Sequence, residues 1–182
     1  KDIWIFSDEC YEQLTYGKKF KSIARFDKNN DKIITFQSCS KTYAMTGWRI
    51  GYIAGNKKLV QAIAKLQGQS TSCPNSIAQH AAIEALMGDQ ACVQEMKKIF
   101  KERRNLILSE LLKIDNITCE KPNGAFYVFP NFSNYLKSQD KDNNIMATSS
   151  DLSLYILRTT GVVTVAGDSF GAPGYIRFSY AT

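Results

Sequence analysis

The chain has 182 residues, 44% of them apolar and 22% charged, with a net charge of +6 at pH 7. That length holds one large domain or two small ones, and the composition is ordinary for a globular protein. No apolar run reaches the ~20 residues that span a bilayer. A single histidine, His80, and five cysteines without CxxC spacing argue against a metal centre and against Ser–His–Asp catalysis.

The odd, scattered cysteines read as reduced thiols of a cytoplasm. The positive excess gathers in KKFK (18–21) and KKIFKERR (97–104), which read as solvated faces. No aromatic-interleaved basic motif accompanies them, so a nucleic-acid partner is not expected; an anionic ligand suits the balance. Both ends of the chain read as cut, as expected of a fragment of a longer protein.

In chain order, residues 2–6 (DIWIF) read as a short buried strand followed by the polar turn SDE. Residues 32–36 and 50–54 read as two more strands, the short apolar runs of an α/β sheet centre. Asn56 is placed to cap a helix over 57–67 with Leu59, Val60, Ile63 and Leu66 on one face. Pro74 opens a second helix over 75–87, closed by Gly88. A long amphipathic helix is predicted over 89–113, with Val93, Met96, Phe100, Ile107, Leu111 and Ile114 in helical repeat. Strands are expected at 118–120, 125–129, 162–165 and 175–179, and a helix at 150–160 that stops at Gly161. The polar stretch 137–150 reads as a mobile surface loop. A domain boundary is drawn near residue 95.

The chemistry concentrates in SCSKTYAMTGWRIGY (38–52). Lys41 directly follows an apolar strand, and ligand sites in α/β sheets form at the carboxyl ends of strands. A solvated surface charge is the plain reading of such a lysine; an amine nucleophile is the functional one. Arg49 sits between Gly47 and Gly51, and a buried arginine there needs a partner. A phosphate suits the guanidinium fork, with the hydroxyls of Ser38 and Ser40 as further donors. Lysine and phosphate site together suggest a phosphorylated carbonyl cofactor held as an imine.

At this point SxSKxxxxxGxRxGY resembles the cofactor-lysine signature of the fold-type I pyridoxal-phosphate enzymes, in the aspartate aminotransferase family (class I/II). SDECYEQLTYG (7–17), QSTSCPNSIAQHAAIEAL (69–86), PNGAFYVFP (122–130), GDSFG (167–171) and YIRFSYA (175–181) are similar to further segments of that family, in the same order. The resemblance implies an α/β fold. Residues 1–95 would be the C-terminal part of a large, mainly parallel-sheet domain. Residues 96–182 would be a small α/β domain that stops before its last helix.

It also implies site residues. Lys41 would bind pyridoxal phosphate covalently and shuttle the substrate proton. Ser38, Ser40 and Arg49 would hold the phosphate. Asp8 would face the pyridine nitrogen and Tyr11 the ring oxygen. Arg177, alternating with Ile176 and Phe178 along a strand, has a solvated outer face as its bland reading; the resemblance makes it the clamp for the substrate α-carboxylate. The implied activity is amino-group transfer between an amino acid, aspartate first, and 2-oxoglutarate, by a cytoplasmic homodimer without metal. The alternatives are a same-fold aminotransferase for aromatic or other amino acids, and an aminotransferase-like ligand-sensing domain of a transcription regulator. His80 reads as structural.

Overall fold

The computed structural model describes residues 3–26, 29, 32–139, 143 and 145–182. Asp2 of the expected first strand, and residues 140–142 and 144 of the polar loop, lie outside the described residues. The chain divides into two compact units, Lys1–Lys97 and Lys98–Thr182.

Unit 1 carries a three-stranded sheet in the order β1-β2-β3, from β1 (Ile5–Asp8), β2 (Ile33–Ser38) and β3 (Gly51–Ala54). β1 and β2 run parallel, with Ile5 opposite Ile33 and Asp8 opposite Phe36. β3 returns antiparallel to β2, with Ser38 opposite Gly51. Only the central strand meets the expectation of burial: Ile33, Ile34 and Thr35 are buried, while most of β1 and β3 is exposed. These two are edge strands, and their apolar side chains, Phe6 and Tyr52 among them, find no cover within the unit.

Helix α1 (Cys39–Thr42) follows β2 at once. Asn56 caps α2 (Lys57–Ser70) by accepting from the Lys58 and Leu59 amides, as its residue type predicts. The helix buries no residue, and Leu66 of its predicted apolar face stands open. α3 (Ser76–Met87) starts one residue later than expected, because Asn75 rather than Pro74 supplies the capping oxygen. Cys39, Met45 and Ala82 form a small core, with Tyr43, Ile50 and Ala85 packed around it.

The unit boundary falls within α4 (Ala91–Leu111). Val93, Phe100 and Leu111 are buried as the helical repeat predicts, and Leu108 joins them. The solvated reading of KKIFKERR fails at Arg104, which is 3% exposed. Its guanidinium donates to the Pro122 carbonyl at 2.9 Å and twice to Asn105 Oδ1, so the buried charge keeps its hydrogen bonds.

Unit 2 carries an antiparallel sheet in the order β4-β6-β5, from β4 (Tyr127–Val128), β5 (Val165–Ala166) and β6 (Ile176–Ser179). The strand expected at 118–120 reduces to a single bridge between Thr118 and Asn131. The one expected at 125–129 shrinks because Ala125 adopts a left-handed φ of 58° and breaks the ladder. α5 (Ser149–Thr160) begins with a capping box between Thr148 and Asp151 and ends at Gly161, in the left-handed region at φ 74°. Leu152, Val128, Ile176, Phe132 and Phe126 are buried in this unit. Among the described residues no helix is long and apolar enough to cross a membrane.

Candidate functional site

The parallel pair β1–β2 ends with Asp8 and Ser38, and the chain turns there. Asp8 Oδ1 accepts from the Cys10 amide at 3.1 Å, while the Glu9 amide donates to the Phe36 carbonyl. This tight turn swings Tyr11 back toward the end of β2. Lys41 stands there on α1, its Nζ 5.9 Å from the centre of the Tyr11 ring.

Cys10 reports the same convergence electrostatically. Burial pushes its thiol up to about 11, helped by its hydrogen bond to Asp8 and the Asp8 charge, while the Lys41 cation pulls it down. Asp8 and Tyr11, close together in the chain, therefore meet the distant Lys41 at the carboxyl ends of two parallel strands.

Ser38 does structural work before any other. Its hydroxyl caps α1 by accepting from the Ser40 amide at 3.0 Å, and it reaches the Ile50 carbonyl at 3.5 Å. The neighbouring register pair, Ser38 and Gly51, explains one glycine. A Cβ on Gly51 would lie 2.5 Å from the Gln37 carbonyl oxygen, so only glycine lets β3 approach β2 here.

Arg49 follows the 3-10 turn Thr46–Trp48 and has a left-handed φ of 53°; Ala44, before the turn, has 54°. Two non-glycine residues in that region within six positions mark a strained loop. Arg49 is exposed, which corrects the expectation of a buried arginine. One Nη donates to the Thr46 carbonyl at 2.7 Å. Beside it opens a groove of about 890 Å³, walled by Ala44, Gly47, Trp48, Gln67 and Asn75. A primary amine, a carboxylate, a phenol and an exposed guanidinium near one sheet end make a donor set suited to an anionic aromatic ligand.

Arg177 belongs to unit 2. It lies on β6 opposite Val165, half-buried, with Ile176 fully buried on the other face. Its guanidinium carbon is 4.5 Å from the Tyr127 ring centre and 4.8 Å from that of Phe170.

Sequence reasoning missed these two rings: Tyr127 is remote in the chain, and Phe170, seven residues before Arg177, reaches it across a turn that no spacing encodes. It also missed Glu9, 3% exposed, whose Oε1 accepts from Ser7 at 3.1 Å and Ser22 at 2.9 Å. The SDE motif holds one of those partners; nothing in the pattern names Ser22.

The sequence profile described as aminotransferase class I and II matches residues 1–182. The chain belongs to the class I and II aminotransferases. Among similar members of this family, a probable aspartate/prephenate aminotransferase of Rhizobium leguminosarum bv. phaseoli is 42% identical over 183 residues, which cover 99% of this chain and 46% of that protein. The crystal structure of the aspartate aminotransferase from Rhizobium meliloti superposes with a TM-score of 0.92 at 38% identity, over 98% of this chain and 45% of that one. An aromatic aminotransferase from Pyrococcus horikoshii OT3 gives 0.88 at 35% identity, over 100% of this chain and 47% of that one. The chain thus spans less than half the length of the aminotransferases it matches. Aspartate aminotransferase homologues in this family use pyridoxal phosphate.

Proposed function

We propose that the chain is the C-terminal portion of a pyridoxal-phosphate-dependent aminotransferase that moves an amino group between aspartate and 2-oxoglutarate. The observation that carries this reading is the convergence of Asp8, Tyr11 and Lys41 at the ends of β1 and β2, within a chain that matches the family over its whole length. The order of the matching segments supports the C-terminal placement, with residues 1–95 as part of the large cofactor-binding domain and 96–182 as most of the small one.

Bound pyridoxal phosphate supplies an electron sink that stabilises negative charge at the substrate Cα. The chain's own residues do the rest. The Lys41 amine would hold the cofactor and would carry the proton taken from the substrate Cα. The Asp8 carboxylate would accept a hydrogen bond from the protonated ring nitrogen. Tyr11 would donate its phenolic hydrogen to the ring oxygen. Ser38, Ser40 and Arg49 would hold the phosphate; the exposed Arg49 guanidinium stands beside its groove and has donors beyond the one given to the Thr46 carbonyl. Arg177 takes the substrate α-carboxylate in a bidentate pair.

Aspartate as donor rests on the names of similar proteins. A homodimer fits the exposed apolar side chains of unit 1, such as Phe6, Ile77 and Met87, which suit burial against another chain. A cytoplasmic setting fits five free cysteines.

The test uses the full-length protein loaded with pyridoxal phosphate. After borohydride reduction and digestion, peptide mass mapping is expected to find the cofactor on the peptide containing Lys41. In Lys41→Ala the adduct disappears and transamination falls about a thousandfold or more. An adduct on another lysine, or none, overturns the assignment. A panel of amino donors checks aspartate; preference for an aromatic donor replaces that part of the reading.

A further inference from the structure

The strand register that carries Arg177 also sets it against two aromatic rings. Tyr127 on β4 pairs with Ser179 on β6, so Arg177, two residues back, is its diagonal neighbour on the same sheet face. Phe170 arrives from the opposite edge of the sheet. It closes the 3-10 turn Gly167–Phe170 that directly follows β5, the strand whose Val165 pairs with Arg177. Gly171, left-handed at φ 67°, ends that turn.

Both rings are braced. Phe126 lies 4.8 Å behind Tyr127, and Phe129 meets Phe170 edge-on at 5.9 Å while tilting against Tyr175 at 5.0 Å. Phe170 is nevertheless 49% exposed, and it packs on the Arg177 cation as well as on Phe129. Among the described residues no carboxylate or carbonyl is hydrogen-bonded to the Arg177 guanidinium.

An ionic partner within the protein would hold an arginine by consuming its N–H donors. Aromatic rings hold it by their quadrupole and leave the donor edges uncommitted, ready for the two parallel hydrogen bonds of a carboxylate. We propose that Tyr127 and Phe170 are positioning residues, which keep the Arg177 guanidinium oriented to receive the substrate carboxylate and so set the affinity of that site. This rests on the reading of Arg177 as the carboxylate clamp.

The experiment uses the full-length holoprotein and the variants Tyr127→Leu, Phe170→Leu, Tyr127→Phe, Phe170→Tyr and Arg177→Ala. The readouts are kcat, KM for the amino donor, and inhibition by succinate, a dicarboxylate without an amino group. Each leucine variant is expected to raise KM and the succinate inhibition constant together, about five- to tenfold, with kcat changed by less than about twofold. The aromatic-for-aromatic variants stay near the parent. In an Arg177→Ala background the leucine substitutions add nothing.

Leucine variants that leave both constants unchanged, or whose effect persists without Arg177, overturn the positioning role. If Arg177→Ala itself leaves succinate inhibition intact, the clamp reading falls and this proposal with it. If Arg177→Ala abolishes inhibition while the leucine variants do nothing, the positioning role alone falls. Should Tyr127→Leu fail to fold, the half-exposed Phe170 decides the matter by itself.

Discussion

Ile176 and Val128 in unit 2 are sealed from water at 0% and 1% exposure, whereas Phe6, Leu66 and Ile77 in unit 1 stand 64%, 71% and 68% exposed. The residues proposed to hold the cofactor, Lys41 foremost, belong to the unit that buries less. They are held by local backbone devices: a serine cap on α1, a glycine at the β2–β3 approach, and a left-handed turn at Arg49. Arg177 is held differently, by a packed sheet and braced aromatic rings. Packing and the proposed cofactor site thus draw on different parts of the chain, and substitutions separate the two.

The widest separation is expected between two truncations. Ile176→Ala removes a fully buried side chain and costs about 3–4 kcal/mol. Leu66→Ala removes one that makes little cover and changes stability by less than about 0.5 kcal/mol. Urea unfolding of the 182-residue chain checks both. Equal costs would mean that the apolar face of α2 is covered in solution and would erase the contrast. Repeating Leu66→Ala in the full-length protein sharpens it: a larger cost there identifies α2 as a face that further chain or a second copy buries.

Gly51→Ala probes the local devices. The added Cβ meets a backbone oxygen rather than a flexible side chain, so β3 must move away from β2, at about 2 kcal/mol. Because Ser38 is the register partner of Gly51, the cap on α1 shifts as well. Weaker cofactor binding than Gly47→Ala is expected, since nothing lies within 4 Å of a Cβ at Gly47. Equilibrium titration with pyridoxal phosphate reads the difference, and equal affinities would detach the strand approach from the site.

Much of this was legible in sequence, and the misses have physical causes. Caps announce themselves by residue type, so Asn56 and Gly161 fell where expected. Helical repeat named three of the buried positions on α4. The strands of unit 2 came out shorter because a left-handed Ala125 carries no compositional warning. Burial of β1 and β3 was overestimated because an apolar run states what a strand can bury, not whether a neighbour is present to cover it. Asp8 at the end of β1 and Lys41 on the turn of helix that follows β2 stand where the apolar runs before them predict a strand end. Tyr127, Phe170 and Ser22 were not legible: Tyr127 and Ser22 meet partners at long range, and Phe170 reaches Arg177 across a turn that no spacing encodes.

Arg49→Gly separates stability from function in the opposite direction. A side chain at φ 53° is strained, and glycine removes the strain while adding some unfolded-state freedom, for a net gain of about 0.5 kcal/mol. The same change deletes the proposed phosphate ligand, so affinity for pyridoxal phosphate falls as thermal stability rises. Ala44→Gly, at φ 54°, is the control, with the gain in stability and no loss of affinity. If Arg49→Gly destabilises, the guanidinium contact to the Thr46 carbonyl outweighs the strain.

The smallest effect is expected at the start of α5, in unit 2 but away from its core. Hydrogen bonds from the Thr148 side chain and amide hold the Asp151 carboxyl below its ordinary range. A carboxyl that ionises more easily in the folded state stabilises that state above its unfolded value, and the contribution disappears as pH falls through the folded one. Asp151→Asn therefore lowers the melting temperature slightly at neutral pH, and the gap to the parent closes in acid below the usual carboxylate range. The group is exposed, so added salt narrows the gap at neutral pH too. A gap that survives both acid and salt would assign the capping box to shape rather than charge, since asparagine can still accept a hydrogen bond there but accepts it without the helix-dipole term.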